Sequence, residues 1–311
     1  MKKPVFLGAA TAIVTPFCDG KLDQPAFERL LRQQLEAGIR AIVVTGTTGE
    51  AATLSQEEKE TLWRLAVRIS DGAAVIIAGV GTNNTAQSVV LAKAAEHCGV
   101  DALLAVTPYY NKATQEGLYR HYFTIAEATD LPLIAYNVPS RTGVALEPET
   151  CQRLAQHERI AGVKEAGGDL TKLAKIRRLC GDELPIWCGN DDQIVPAMAL
   201  GACGVISVLS NIRPRMVKAL CDHALAGRFA EAATLQLNAL PLIDALFSEV
   251  NPIPVKAALA AEGLCRDELR LPLTPVSDEK RPALQAALFN CPDHNGAASM
   301  VGGRDKKLIN L

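Results

Sequence analysis

The sequence lacks the features by which several classes of protein are recognised. Only 5% of its 311 residues are aromatic, and no apolar run is long enough to span a bilayer. The formal net charge is −2, and no basic stripe is interleaved with aromatic residues, which argues against nucleic-acid binding. Residues 1–4 include two lysines but are followed by no signal-peptide core. These absences predict a cytoplasmic protein with neither a membrane nor a nucleic acid as a partner.

Cysteine is present without any spacing that would give it a structural or metal-binding role. The chain has nine cysteines, and no two of them are spaced as C-x-x-C. The odd number argues against a disulfide framework, and the spacing argues against a zinc knuckle. Most of these cysteines lie in apolar surroundings and are therefore predicted to be small buried residues.

The dominant pattern is a repeated unit in which an apolar run is followed by a segment with helical apolar spacing. The apolar runs are continuous, as is typical of parallel strands buried on both faces. They span residues 7–14, 41–45, 75–78, 102–106, 133–136, 160–164, 185–188 and 204–208. Eight such units in one chain predict an α/β fold, a closed (β/α)₈ TIM barrel, over residues 1–227.

Helical signals also mark the element boundaries and the end of the chain. Ser55 followed by Glu58 predicts a capping box, and Gly38 is placed to end the first helix. Residues 228–290 contain further helical patterns and are predicted to form a C-terminal helical appendage. Residues 291–311 are rich in glycine, asparagine and charge, and a mobile tail is expected there.

The sixth predicted strand ends on Lys164 and runs into glycines. Catalytic groups of a TIM barrel lie at the carboxyl ends of its strands. An ammonium among apolar residues is costly unless it is paired or neutralised, and a neutral amine is a nucleophile. Lys164 is therefore a candidate Schiff-base lysine. For a lone lysine the alternative, a solvated side chain at a strand end, is the commoner case.

Other predicted strand ends carry hydroxyl groups, a phenol and a guanidinium. The turn containing Thr47 and Thr48 suits a small carboxylate or phosphate. The last two strand ends lack a glycine-rich phosphate grip, so a carboxylated substrate is favoured. Tyr136 ends the fifth strand, where core packing is its alternative role. The guanidinium of Arg141 could hold a carboxylate bidentately, or could form a surface ion pair.

Metal-dependent chemistry is poorly supported by the residue inventory. None of the five histidines follows a predicted strand, which disfavours a histidine zinc site and a histidine-activated nucleophile. Asp191 and Asp192 could bind a metal ion, although capping of the following helix is the favoured role for such a pair. No metal and no cofactor are therefore predicted.

Six segments together carry a resemblance to a known family. They are GTTGEAATL at 46–54, TPYYNKATQEGLYRHY at 107–122, AYNVPSRTG at 135–143, GVKEA at 162–166, GVISV at 204–208 and NPIPVK at 251–256. In this order they resemble the dihydrodipicolinate synthase family, within the pyruvate-dependent class I aldolase-lyase superfamily. The resemblance spans about residues 5–290 and greatly strengthens the assignment of Lys164 as the imine-forming residue.

The resemblance implies an activity and the residues that perform it. Lys164 would form an imine with pyruvate, and the derived enamine would add to L-aspartate 4-semialdehyde. The product would be 4-hydroxy-tetrahydrodipicolinate, an intermediate of lysine and diaminopimelate biosynthesis. Protons would move through a relay formed by Tyr136, Thr47 and Tyr110.

The same resemblance implies the substrate contacts and the assembly. Thr48 would bind the pyruvate carboxylate together with Thr47, and Arg141 would bind the carboxylate of the semialdehyde. Gly189 and Ile206 match positions that contact substrate through the backbone. A homodimer or homotetramer is implied, in which Tyr110 reaches the active site of the neighbouring subunit.

Two alternatives stay open at this point. The superfamily also contains N-acetylneuraminate lyase and lyases of 2-keto-3-deoxy sugar acids, which usually lack the paired threonines and Arg141. A keto-acid sensor without turnover is the alternative from another class. Feedback inhibition by L-lysine is expected to be weak. Although Asn83 and Tyr109 match the inhibitor site of the family, Lys59 and Gln87 replace its histidine and glutamate.

Overall fold

The computed structural model describes residues 2–293 and contains a closed barrel of eight parallel strands. These strands are numbered in chain order together with a small hairpin, which forms β2 (Phe17–Cys18) and β3 (Lys21–Leu22). The barrel strands are β1 (Gly8–Ala12), β4 (Ala41–Val44), β5 (Val75–Gly79), β6 (Ala102–Val106), β7 (Leu133–Asn137), β8 (Ile160–Glu165), β9 (Ile186–Cys188) and β10 (Gly204–Ser207). The predicted TIM barrel is confirmed.

Pairing of the first strand with two partners closes the sheet. In β1, Ala10 lies opposite Ala41 of β4 on one side and Ile206 of β10 on the other. All pairs around the ring are parallel, so every strand ends at the same mouth of the barrel. A functional site built from strand ends therefore has to lie at that mouth.

Twelve α-helices connect or follow the strands in the described part of the chain. The capping box is confirmed, because Ser55 Oγ accepts from the N–H of Glu58 and the Glu58 carboxylate accepts from the N–H of Ser55. The helices are α1 (Gln24–Glu36), α2 (Gln56–Ser70), α3 (Thr85–His97), α4 (Gln115–Glu127), α5 (Pro139–Thr142), α6 (Pro148–Leu154), α7 (Leu170–Cys180), α8 (Ile194–Ala199), α9 (Pro214–Leu225), α10 (Phe229–Leu246), α11 (Ile253–Ala261) and α12 (Arg281–Asn290).

The apolar core has two layers. The larger layer lies between strands and helices, and a smaller cluster fills the interior of the barrel. Phe6 stacks on Trp187 in the inner cluster with ring centroids 5.0 Å apart, and the Trp187 indole donates to the carbonyl of Phe6. Gly162 leaves room for this indole, since a Cβ there would lie 2.5 Å from the Trp187 ring. The interior is thus packed with side chains below the mouth.

A buried ion pair joins the C-terminal helices to the mouth. Lys256 on α11 and Glu50, which follows β4, are 2.7 Å apart, and both side chains are fully buried. The same ammonium donates to the carbonyl of Thr15, and the second Glu50 oxygen accepts from the N–H of Arg270. Burial lowers the pKa of Lys256, while Glu50 opposes that shift. The pair therefore fixes the turn that contains Thr47 and Thr48 to the C-terminal part of the chain.

Some local features differ from the sequence predictions. The sequence analysis predicted neither the hairpin formed by β2 and β3 nor the one-turn helix α5, which contains Arg141. The domain division at 227 and 290 stays a prediction. Most of the predicted mobile tail, from residue 294 onward, lies outside the described residues, whereas Asp293 accepts from the N–H of Met216. No helix within residues 2–293 is long and apolar enough to cross a membrane.

We expect Lys256→Met to lower the free energy of unfolding by about 3–5 kcal/mol, because the carboxylate of Glu50 stays buried without its cation. Urea denaturation followed by circular dichroism measures the loss. The double variant Glu50→Gln with Lys256→Met should recover part of the stability, since it removes both charges. Lys280→Met is the matched control, because Lys280 pairs with Glu279 at the surface. It should cost less than about 1 kcal/mol. Equal losses of stability in Lys256→Met and Lys280→Met would contradict the role assigned to the buried ion pair.

Candidate active site

Lys164 lies inside the mouth of the barrel, at the end of β8. Its side chain is buried, and its Nζ lies 4.3 Å from the centroid of the Tyr136 ring on the neighbouring strand. Within residues 2–293, no carboxylate lies within ion-pair distance of this ammonium and no acceptor is hydrogen-bonded to it. It differs in this respect from the paired Lys256. The amine is therefore not engaged in an ion pair, and a neutral amine is a nucleophile.

Gly189, just after β9, provides the space for that lysine. A Cβ atom at Gly189 would lie 2.5 Å from the Cβ of Ala166 and 3.0 Å from the Cε of Lys164. Its N–H donates to the carbonyl of Glu165 at 2.7 Å, which holds it against the end of β8. A side chain at position 189 would therefore displace Lys164 from its place in the mouth.

Most of the predicted site residues line one cavity of about 190 Å³. Thr47, Thr48, Tyr136, Arg141, Lys164 and Gly189 all line it. Tyr136 and Thr48 are buried, whereas Thr47 is half-buried and Arg141 is exposed. The arrangement combines an amine, hydroxyl groups and a guanidinium, which are suitable groups for binding a small carboxylate beside a nucleophile.

Asn251 also lines this cavity, although it was not among the predicted site residues. Its Nδ2 donates to the Thr48 hydroxyl at 3.0 Å, and its backbone carbonyl accepts from Nη2 of Arg141 at 3.3 Å. It lies in the segment that precedes α11, so the C-terminal part of the chain contributes directly to the mouth. The motif that contains it was recognised in the sequence, but nothing in the motif indicated this contact.

A second cavity of about 420 Å³ adjoins the first. The two share Thr47, Tyr136, Arg141 and Asn251, and the second extends to Lys59 and Tyr109. Lys59 is buried on α2, and burial lowers the pKa of its ammonium. No ion-pair partner for Lys59 is found among the described residues. Lys59 therefore lines this cavity without a carboxylate beside it.

Two predicted site residues do not line either cavity. Tyr110 is 89% exposed and lines neither cavity, so its phenol is open to solvent. Ile206 is fully buried on β10 within the inner cluster of the barrel. Six of the eight predicted residues are thus brought together within the chain, and Tyr110 is not among them.

Two buried carboxyl groups support the mouth from below. Asn137 Nδ2 and the N–H of Gly167 donate to Glu165, and burial raises the pKa of its carboxyl. Burial also raises the pKa of Asp191, which accepts from the N–H groups of Val208 and Leu209. Asp191 therefore holds the segment after β10 and does not cap the helix that follows it, contrary to the favoured expectation. The described residues contain no cluster of three or more metal-ligating side chains.

The closed parallel barrel, with its polar cavity at the carboxyl ends of the strands, defines a TIM-barrel enzyme. The model of the Dihydrodipicolinate synthetase family matches residues 5–290, and the chain belongs to that family. It is 49% identical over 285 residues to the 4-hydroxy-tetrahydrodipicolinate synthase of an Exiguobacterium species, covering 91% of this chain and 97% of the relative. This membership confirms the family resemblance of the sequence.

Solved structures of dihydrodipicolinate synthases are also similar to this chain. The dihydrodipicolinate synthase of Thermotoga maritima superimposes with a TM-score of 0.91 at 44% identity, covering 92% of this chain and 98% of that one. A chloride-inhibited dihydrodipicolinate synthase from Acinetobacter baumannii, in complex with pyruvate, superimposes with a TM-score of 0.90 at 44% identity. Coverage is again 92% of this chain and 98% of that chain.

Gly189→Ala should destabilise the fold by roughly 1–3 kcal/mol, because the added methyl group overpacks the contact with Ala166 and Lys164. The loss is measured by urea denaturation. Gly117→Ala is the matched control, since a Cβ there meets its nearest neighbour at 3.4 Å, an ordinary contact. That control should leave the stability unchanged or raise it slightly. Equal stability of the two variants would show that the close approach at Gly189 is readily relieved.

Proposed function

We propose that this chain condenses pyruvate with L-aspartate 4-semialdehyde through an imine on Lys164, giving 4-hydroxy-tetrahydrodipicolinate. The observation that carries the proposal is the buried, unpaired amine of Lys164 in a small polar cavity at the barrel mouth. Family membership and relatives named for this reaction support the same conclusion. The activity is that of a lyase in lysine and diaminopimelate biosynthesis.

The first half of the reaction takes place on pyruvate. The Lys164 amine attacks the ketone carbon, water leaves, and a protonated imine forms. The imine nitrogen then withdraws electrons from the methyl carbon, so that loss of a proton gives an enamine. Thr47 and Thr48 bind the carboxylate in this proposal, because hydroxyl groups lining the cavity can donate to its oxygens. The A. baumannii relative with bound pyruvate supports this choice of substrate.

The second half joins the two substrates. The enamine carbon attacks the aldehyde of the semialdehyde, whose carboxylate is bound by the guanidinium of Arg141. The amino group of the semialdehyde then adds to the imine carbon, which closes the ring and releases the lysine. The guanidinium lies at the edge of the cavity, where a second substrate would enter. Lyases acting on sugar acids usually lack this arginine, so its presence favours the synthase over those activities.

Protons are carried in this proposal by Tyr136, Thr47 and Tyr110. A phenol is a poor base by itself, so it needs a hydrogen-bonded relay and an adjacent cation. Tyr136 lies against the Lys164 ammonium, and Thr47 lines the same cavity. The exposed position of Tyr110 supports its reaching the site of a second subunit. The proposed assembly is therefore a homodimer, alone or paired into a tetramer.

Incubation with pyruvate followed by borohydride should place a stable adduct on Lys164, and peptide mass spectrometry locates it. Lys164→Met should abolish the adduct. Lys59→Met is the matched control, because Lys59 is also buried and unpaired among the described residues but lies on a helix. It should leave the adduct in place. A main adduct on any other lysine would overturn the assignment.

Activity is checked by a coupled assay with pyruvate and L-aspartate 4-semialdehyde. N-acetylneuraminate and 2-keto-3-deoxygluconate are run beside it, and we expect turnover only with the semialdehyde. Cleavage of either sugar acid without condensation would replace the proposed function by the related lyase activity. An adduct without any turnover would indicate a keto-acid sensor.

Mixing two inactive variants tests the proposed relay between subunits. Lys164→Ala and Tyr110→Phe should each lose activity in isolation. After subunit exchange, a mixed dimer contains one site with both residues intact, so activity should partly return. Mass spectrometry of the intact assemblies checks that exchange took place. Exchange without recovery would mean that Tyr110 does not serve the neighbouring site.

L-lysine should inhibit weakly or not at all at millimolar concentration. The buried ammonium of Lys59 would face the ammonium of the ligand, and the exposed Gln87 offers only a neutral dipole. Loss of one such ion pair reduces affinity roughly ten- to hundred-fold. A dose–response curve measures the effect, and Lys59→His with Gln87→Glu should increase the inhibition. Strong inhibition of the unaltered protein below a millimolar would contradict the charge argument.

A further inference from the structure

Asn251 carries an unpaired polar atom at the mouth of the barrel. Its side chain is buried, and Oδ1 is one of six buried side-chain atoms without a hydrogen-bond partner in the described chain. Of the six residues that carry such atoms, Asn251 alone lines the two adjoining cavities. A buried amide oxygen without a donor is costly, so a ligand donor at this position would be favourable.

The hydrogen bonds around Asn251 determine which end of its amide is available. Its Nδ2 donates to the Thr48 hydroxyl at 3.0 Å. A carboxylate accepts hydrogen bonds and donates none, so a threonine that binds one must direct its own O–H toward it. Thr48 then has a lone pair for the Asn251 amide, which fits the observed donor. The amide nitrogen is thereby occupied, and Oδ1 is left to accept.

The neighbouring guanidinium indicates which donor would reach Oδ1. Nη2 of Arg141 donates to the backbone carbonyl of Asn251 at 3.3 Å, so the two residues are in direct contact. A carboxylate bound by Arg141 therefore lies next to Asn251. In an α-amino acid the ammonium group is attached to the carbon that bears this carboxylate. The amide oxygen is thus placed to accept from an α-ammonium group.

We propose that Asn251 is a specificity-determining residue whose Oδ1 recognises the α-ammonium group of the aldehyde substrate. The inference rests on the proposed function and adds to it the selection of an amino acid aldehyde over one without the amino group. Asn251 also positions the Thr48 hydroxyl. Both roles come from outside the barrel strands, since Asn251 lies in the segment before α11.

Comparison of two aldehydes tests this proposal. Succinate semialdehyde has the same carbon chain as L-aspartate 4-semialdehyde but lacks the ammonium group. The pyruvate imine is formed first, aldehyde is added at increasing concentration, and borohydride trapping with mass spectrometry follows the loss of the pyruvate adduct. This readout does not require ring closure, which the analogue cannot undergo.

The apparent Kd of the unaltered protein should be about ten- to hundred-fold lower for L-aspartate 4-semialdehyde than for succinate semialdehyde. This is the usual range for a hydrogen bond to a charged group. Asn251→Leu should reduce this preference to within a few-fold while the pyruvate imine still forms. Thr48→Ser is the matched control. It alters the same contact but keeps the hydroxyl that accepts from Nδ2, so Oδ1 stays in place and the preference between the aldehydes should be kept.

Each remaining outcome decides the matter. Loss of affinity for both aldehydes by the same factor in Asn251→Leu would show a purely structural role and overturn the proposal, as would an unchanged preference. If Asn251→Leu does not fold, Asn251→Ser replaces it. Equal affinity of the unaltered protein for the two aldehydes would also overturn the inference. Absence of any pyruvate imine in the unaltered protein would instead overturn the proposed function itself.

Discussion

Closure of the parallel sheet is the constraint on which the rest of the structure depends. Because β1 pairs with both β4 and β10, no strand end is free to move apart from its neighbours. The ring brings Thr47, Tyr136, Lys164 and Gly189 from four separate strand ends to one mouth. The inner apolar cluster packs the barrel interior, and Lys164 is buried at the mouth.

The barrel alone does not complete this mouth. The Glu50–Lys256 pair ties the turn after β4 to α11, and Asn251 reaches Thr48 from the same region. Two buried lysines illustrate different uses of one side chain. Lys256 has a carboxylate and a carbonyl for its ammonium, and it holds parts of the chain together. Lys164 has neither among the described residues, and it is available for reaction.

Much of the architecture was predictable because strong local patterns agree with the final structure. The continuous apolar runs around Val43 and Val163 are buried strands, and Ser55 and Gly38 mark helix ends as their chemistry requires. The ordering of strand ends also predicted which side chains would meet, since parallel strands share one mouth.

Contacts between distant parts of the chain were not predictable in the same way. The pairing of Lys256 with Glu50 and the contact of Asn251 with Thr48 join residues about two hundred positions apart. No local period or spacing encodes such a contact. Tyr110 is a different case, because the side chain predicted to complete the relay is exposed and lines neither cavity of its own barrel. A contact between subunits joins two chains, and no local period or spacing in one sequence predicts it.

The late position of Asn251 and Lys256 has a consequence for biosynthesis of the protein. A ribosome delivers the chain from its N-terminus, so the eight strands are complete once Ser207 has emerged. The turn with Thr47 and Thr48 then still lacks its buried cation and its amide partner, which are supplied by the segment around α11. The strands therefore precede two partners of the mouth by more than forty residues of chain. Pyruvate can meet a fully formed site only after residues 251–256 have been translated.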